Sequence, residues 1–239
     1  MATTIRARPR REAFPFGVIA LPRPVFLEPP ARRFVNVLAA LAALALAAPL
    51  MLVIAVLVKL SSEGPAFYTQ TRIGIDLRGH RRGGGYGRRW NDLGGKPFTI
   101  YKFRTMRVCN GGADPQVWAA EGDARVTRIG RALRNFRLDE LPQLFNVLLG
   151  DMNLVGPRPE QPAIFTRLSG EIADYRRRQL VRPGITGWAQ VKQGYDHSVE
   201  DVRRKVAFDL EYIGRQSAME DLRIMARTLP VMLFRRGSC

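Results

Sequence analysis

One stretch constrains this chain more than any other: residues 35–58 read VNVLAALAALALAAPLMLVIAVLV, uncharged and with Asn36 as the strongly polar residue. As a straight helix it is roughly 36 Å long against a bilayer hydrocarbon core of about 30 Å, so it belongs in lipid. Pro49 lies inside it, where it removes a backbone donor and crowds the preceding turn, which predicts a kink near Ala48 and Pro49. Arg-rich residues precede the segment, and Lys59 with an equally basic remainder follows it. Counting Lys and Arg on the two flanks therefore selects no orientation. A hairpin that enters and leaves by one face satisfies both flanks, and an ordinary kinked single-pass helix satisfies the length; these signals place the two evenly.

Charge narrows the partners. Lys+Arg of 38 against Asp+Glu of 21 in 239 residues leaves +17, which excludes an acidic solvating protein and favours nucleic acid, phosphorylated small molecules or an anionic membrane face. A mean hydropathy of -0.13 argues against a polytopic membrane protein, while 46% hydrophobic residues supply a sizeable core. Cys109 and Cys239 are far apart and without metal-like spacing, as in a reducing compartment. Residues 1–33, rich in Arg and Pro, read as a flexible basic arm at the membrane surface. They do not read as part of a cleaved signal, because the apolar stretch starts late, is too long and leads into no small-residue cleavage site.

Beyond the anchor, GPAFYTQTRIG (64–74) and KPFTIYKFRTM (96–106) read as two short strands. The loop between them carries Arg78, His80, Arg81, Arg82, Arg88 and Arg89 among glycines, with Tyr86 and Trp90 as its aromatics, and reads as a solvated insertion. Ile129, Leu133, Phe136, Leu141, Leu144, Phe145 and Leu148 recur at helical steps and predict one helix over 126–149. Further helices are predicted over 199–213 and 221–234, the last kinked at Pro230. Its stripe of Leu222, Met225, Leu229 and Met232 beside arginines suits either a headgroup layer or packing on the domain. The class is α+β, mostly helical, with a short β-hairpin and amphipathic interfacial helices.

Acidic residues are scarce, so their clustering is informative. Asp139 and Glu140 follow Arg125, Arg128, Arg131, Arg134 and Arg137, whose charge favours ionised carboxylates ready to act as nucleophile or metal ligand. An Asp that attacks phosphorus divides one difficult transfer into two steps. Standing alone, such a pair is more often a salt-bridged surface feature. Here it precedes Val155-Gly156-Pro157-Arg158-Pro159-Glu160, where two prolines hold Arg158 in a stiff turn suited to gripping a phosphate. Arg182-Pro183-Gly184-Ile185-Thr186-Gly187-Trp188 repeats the pattern of an Arg beside proline and glycines. Together the two loops outline a phosphate pocket beside two carboxylates.

DELPQLFNVLLGDMNLVGPRPE (139–160), RPGITGWAQV (182–191) and the two strand motifs strongly resemble the bacterial sugar transferases, monotopic polyprenol-phosphate phosphoglycosyl transferases, over roughly residues 34–234. The resemblance implies transfer of a sugar 1-phosphate from a nucleotide sugar, with UDP expected, to undecaprenyl phosphate at the cytoplasmic face of the inner membrane. It implies a re-entrant helix broken at a proline, matched by Pro49, and hence a basic arm (1–33), a membrane helix (34–60) and a cytoplasmic catalytic domain (61–239). Asp139 falls on the family's nucleophile and Glu140 on its partner. Glu140 either helps place Mg²⁺, with the two carboxylates as its ligands to offset phosphate charge, or accepts the proton of the lipid phosphate. Lys102, Arg104, Arg158 and Arg182 are the expected phosphate contacts. Gln70 and Arg72 match the first strand motif without an assigned role, and Asp151 is expected to orient its loop.

The chain departs from smaller members at Lys192-Gln193-Gly194-Tyr195-Asp196, where many continue Asn-Gly-Arg; Lys192 is the candidate substitute. The loop 78–89 looks like an insertion, and the short arm suggests a minimal catalytic unit. A tethered nucleic-acid binder lacks the interleaved aromatics it needs, and a non-catalytic scaffold has no use for the acidic pair. The expected partners are the two substrates and membrane lipid, with no nucleic acid; the oligomeric state stays open, a homodimer being one option.

Overall fold

The computed structural model describes residues 28–77, 94–107, 123–194 and 198–233. The arm up to residue 27, the Gly/Arg loop with His80, both cysteines and Tyr195-Asp196 lie outside them. The apolar segment forms α1 (Pro30–Ser61), 32 residues and about 48 Å long, uninterrupted at Pro49. It starts inside the stretch assigned to the arm, because Pro30 suits a first helical turn, where its missing donor goes unneeded.

One face of α1 is packed along its whole length. Arg32, Asn36, Ala40, Met51, Ile54 and Val58 are buried, while Phe34, Leu38, Leu46, Leu52, Val56 and Leu60 on other faces stay exposed. A helix surrounded by lipid on every side is therefore not what forms, because the domain covers one face. At one end the Arg32 guanidinium binds Asp221 at 2.8 Å and donates to Gln216 and Tyr212. Asn36 accepts from the Leu154 amide at 2.9 Å and donates to the Arg32 carbonyl at 3.0 Å. At the other end Arg104 donates to the carbonyls of Ser62 and Glu63, both at 2.7 Å and just past the helix, and at 3.4 Å to the Val58 carbonyl, one of those that a helix end leaves open.

The hairpin forms as read, with β1 (Phe67–Ile73) antiparallel to β2 (Pro97–Phe103) and Gln70 opposite Ile100. The single helix expected over 126–149 is instead three pieces: α2 (Arg128–Asn135), a 3-10 turn at Leu138–Glu140, and α3 (Gln143–Leu149). Arg137 adopts a left-handed conformation (φ 54°) that ends the first helix, and Pro142 cannot donate within a continuous one. Thr127 caps α2 by accepting from the Gly130 amide at 2.8 Å, and a Cβ on Gly130 would run into the Thr105 carbonyl. Close approach of α2 to the end of β2 is thus built into the sequence.

A second sheet pairs β3 (Asn153–Val155) in parallel with β4 (Gly184–Thr186), between which lie α4 (Pro162–Glu171) and a 3-10 segment at Tyr175–Leu180. It sets the two proline-containing motifs side by side. Then follow α5 (Trp188–Lys192), α6 (Val199–Arg215) and α7 (Ala218–Leu233). Through Ile224 and Met225 the last helix packs on a core that includes Phe165, Tyr175, Val206 and Ile213. Met219, Leu222 and Leu229 remain exposed, so α7 packs on the domain and keeps an outward apolar stripe beside Arg223 and Arg227. The Met232 side chain, Phe234, Arg235 and Arg236 lie outside the described residues.

Because Asp221 is buried and bound by Arg32, Arg32→Ala is expected to destabilise the fold by about 3–5 kcal/mol. Denaturation in detergent checks this, and Asp221→Asn in the same chain should recover part of the loss.

Candidate active site

The break between α2 and α3 places Asp139 and Glu140 in a tight turn, where both carboxylates are buried at 8% and 6% exposure. Lys102 of β2 and Arg158 of the proline-flanked turn each lie 2.8 Å from Glu140 Oε1, and Arg137 lies 3.8 Å from Oε2. Burial alone would raise the Glu140 pKa, but Arg158 and Lys102 overcome it and hold the group well below the ordinary carboxylate range. Asp139 behaves oppositely. Burial pushes its pKa up against the pull of Lys102, with the Glu140 charge adding to the rise. Among the described residues its carboxylate makes no hydrogen bond or ion pair. The arginine-rich context predicts two similarly ionised acids; the geometry divides them, because the nearest cations converge on Glu140.

Asn146 sets this register. Fully buried on α3, it accepts from the Tyr101 amide at 3.1 Å and donates to the Thr99 carbonyl at 2.6 Å, fixing the acidic turn against the strand that carries Lys102. Burial also lowers the Lys102 pKa, although Glu140 opposes the shift.

Arg158 is held from behind. The carbonyls of Arg158, Pro159 and Glu160 accept from Arg178 (3.0 Å), Arg72 (3.2 Å) and the Ile73 amide (2.9 Å) respectively. Arg178 is itself fixed by Asp209 at 2.7 Å and by the Tyr175 hydroxyl at 2.9 Å. Arg72, without an assigned role in the sequence, thus supports the turn. Arg178 stands in a run of three arginines, and nothing in the sequence distinguishes it from its neighbours.

Two expected phosphate contacts are placed elsewhere. Arg104 is buried against the carbonyls that end α1, and Arg182 donates to the Gly150 carbonyl at 2.9 Å and pairs with Glu28. Both guanidiniums serve chain carbonyls and an acid remote from Glu140 in sequence, which gives them structural work. Lys192 lies 4.7 Å from the centre of the Trp188 ring, joined there by Arg215 and Arg227, and has no contact with the acidic pair. Asp151 pairs with Lys96 at 3.4 Å, in keeping with a loop-orienting role.

Among the described residues no three His, Cys, Asp or Glu side chains gather as a metal cluster. Mg²⁺ commonly takes one or two carboxylates and completes its shell with water and substrate phosphates. The unpartnered Asp139 carboxylate fits that demand, whereas Glu140 already faces two cations.

A buried acidic turn faced by fixed cations packs beside a long helix with an exposed apolar flank. The chain belongs to the bacterial sugar transferase family, whose model matches residues 27–235. A UDP-glucose:undecaprenyl-phosphate glucose-1-phosphate transferase of Caulobacter vibrioides is 45% identical over 204 residues, covering 84% of this chain and 69% of that protein. A UDP-N-acetylgalactosamine-undecaprenyl-phosphate N-acetylgalactosaminephosphotransferase of Aeromonas hydrophila is 42% identical over 89% of this chain, which spans 45% of its length. The exopolysaccharide production protein PSS of Rhizobium leguminosarum bv. phaseoli is 36% identical over 83% of this chain and 92% of its own.

The opposite pKa directions have opposite consequences for stability. A raised Asp139 pKa costs stability when the group ionises, so the cost is present at neutral pH and vanishes below the unfolded value of about 3.9. Asp139→Asn is therefore expected to raise Tm at pH 7, with the gain fading towards pH 4. Glu140→Gln should lower Tm at pH 7, because a depressed carboxylate stabilises above its unfolded pKa and loses that contribution as pH falls through the folded one. Thermal melts of both variants across pH check the pair.

Proposed function

We propose that this chain transfers a sugar 1-phosphate from a UDP-sugar to undecaprenyl phosphate in two steps through an aspartyl phosphosugar. The observation that carries the reading is the contrast within the acidic pair: among the described residues Asp139 makes no hydrogen bond or ion pair, while Glu140 is bound by Lys102 and Arg158. Ionised Asp139 attacks the sugar-bearing phosphorus of the diphosphate; a P–O bond to the carboxylate forms, the diphosphate P–O bond breaks, and UMP leaves. The phosphate oxygen of the lipid then attacks the same phosphorus, the acyl phosphate bond breaks, and Asp139 is released as carboxylate. Glu140 keeps Lys102 and Arg158 in place, where their charge offsets the equatorial oxygens as the transition state develops. Mg²⁺ on an Asp139 oxygen would supply further neutralisation of phosphate charge.

The catalytic domain is proposed to lie at the cytoplasmic face of the inner membrane, on a helix that does not cross. Support comes from the two ends of α1, tied to α7 by Arg32 and to the β2 end by Arg104 within one folded unit. A spanning helix would carry those ends to opposite faces of the bilayer. A role in glycan production is supported by the relative named as an exopolysaccharide production protein, and the sugar stays open between the glucose and N-acetylgalactosamine of the other relatives' names.

Asp139→Asn is expected to abolish both sugar-phosphate transfer and the covalent adduct formed from UDP-sugar alone, read by UMP release and intact-protein mass. Full turnover by this variant would overturn the nucleophile assignment. Cysteines engineered within residues 20–27 and just after Lys59 should both label from the cytoplasmic side; labelling from opposite faces would exclude the re-entrant arrangement.

A further inference from the structure

A cavity of about 190 Å³ is lined by Glu140 of the acidic pair, and the transfer chemistry above gives it no occupant. Ala43 of α1, Leu141, Leu144, Ile185, Val191 and Val231 form its apolar wall. Its two threonines, Thr186 and Thr228, are hydrogen-bonded to each other at 2.8 Å. Gln190 donates to the Ile185 carbonyl at 3.2 Å, which leaves its buried Oε1 as a polar acceptor in the lining without a partner among the described residues. At one edge stand Glu140 and Arg137. The volume falls short of the roughly 300–1,000 Å³ that encloses a whole small-molecule ligand, so the cavity accepts a fragment of one. The mostly apolar wall argues against a sugar ring, because the single open acceptor of Gln190 would leave most of its hydroxyls without partners.

Position identifies the fragment. Walls come from α1 and α7, the helices with exposed apolar stripes, and the charged edge is shared with the site that handles phosphate. A ligand that fits both is a phosphate monoester of a branched hydrocarbon, with its head at Arg137 and its chain running inward. Arg137 supports this placement. Its guanidinium lines the cavity 3.8 Å from Glu140 Oε2, so a positive charge stands where the phosphate head would sit.

We propose that this cavity seats the head-proximal isoprene units of the lipid phosphate acceptor, with Val191 and Ile185 as chain-contacting walls. The assignment rests on the transferase reading and names the acceptor half of its site. Recognition of the first units by protein, and of the remaining chain by lipid, predicts that affinity rises over the shortest chains and then levels.

The test uses the full chain in detergent with isoprenyl phosphates of one, two and three units as acceptors. In the unaltered protein the acceptor KM should fall as units are added, and Val191→Trp should abolish that gain and raise the KM for the longest by about tenfold or more. Val191→Leu should retain the gain. An acceptor KM unchanged in Val191→Trp would overturn the proposal. A photoreactive farnesyl phosphate provides a readout independent of turnover and of how the variant folds. Labelling of the unaltered protein should map to the segments around Leu141–Leu144 and Ile185–Val191. Labelling confined to the exposed face of α1 would sink the cavity assignment. Absence of an Asp139 adduct with UDP-sugar alone would instead sink the transferase reading, whatever the photolabel shows.

Discussion

The site depends on one carboxylate that does no chemistry of its own in the proposed scheme. Glu140 gathers Lys102 from β2, Arg137 from the helix break and Arg158 from the proline-flanked turn. Three cations so close would repel one another with nothing between them, and only an ionised group can hold them together. That need accounts for the depressed Glu140 pKa. It also leaves Asp139 as the group whose burial is not offset by a direct partner. Its buried charge is a local cost to stability, as expected where a reactive group is held ready for a substrate.

The second constraint is the double character of α1. A helix apolar around its circumference is ordinarily either inside a core or inside a membrane. Here Asn36 and Arg32 interrupt the apolar surface on one side, and each meets a buried partner of the domain. Those two polar residues fix which face docks and which stays exposed. The same docking ties β3, through the Leu154 amide, to the helix, and so links the anchor to the strand that leads into the Arg158 turn.

Much of this was legible in the sequence, but unevenly. The anchor, hairpin, later helices and acidic pair follow from periodicity and motif. The break at Arg137 does not, because the apolar spacing continues across it and only a left-handed backbone ends the helix. The β3–β4 pairing was hidden because strands of three residues give no periodic signal. Asn146 was open to detection, as an amide on an otherwise apolar helical face, yet its partners lie on a strand distant in sequence.

Arginine was the hardest to place. A formal charge of +17 invites the inference that arginines face anionic partners outside the chain. The structure spends several of them internally: Arg32 on Asp221, Arg178 on Asp209, Arg104 and Arg182 on carbonyls. Guanidinium suits this work because its planar fork can satisfy two or three acceptors at once, and its charge survives burial beside an acid. Arg104 and Arg158 differ little in sequence setting, each within a motif strong enough to invite a phosphate role. What separates them is the local supply of acceptors. The end of α1 presents unsatisfied carbonyls to Arg104, whereas the carbonyls around Arg158 are already taken by Arg178, Arg72 and Ile73, which leaves its side chain to reach the acidic pair. Hydrogen-bond accounting of the backbone, more than the charge of the side chain, thus decides which arginine is structural and which faces the site.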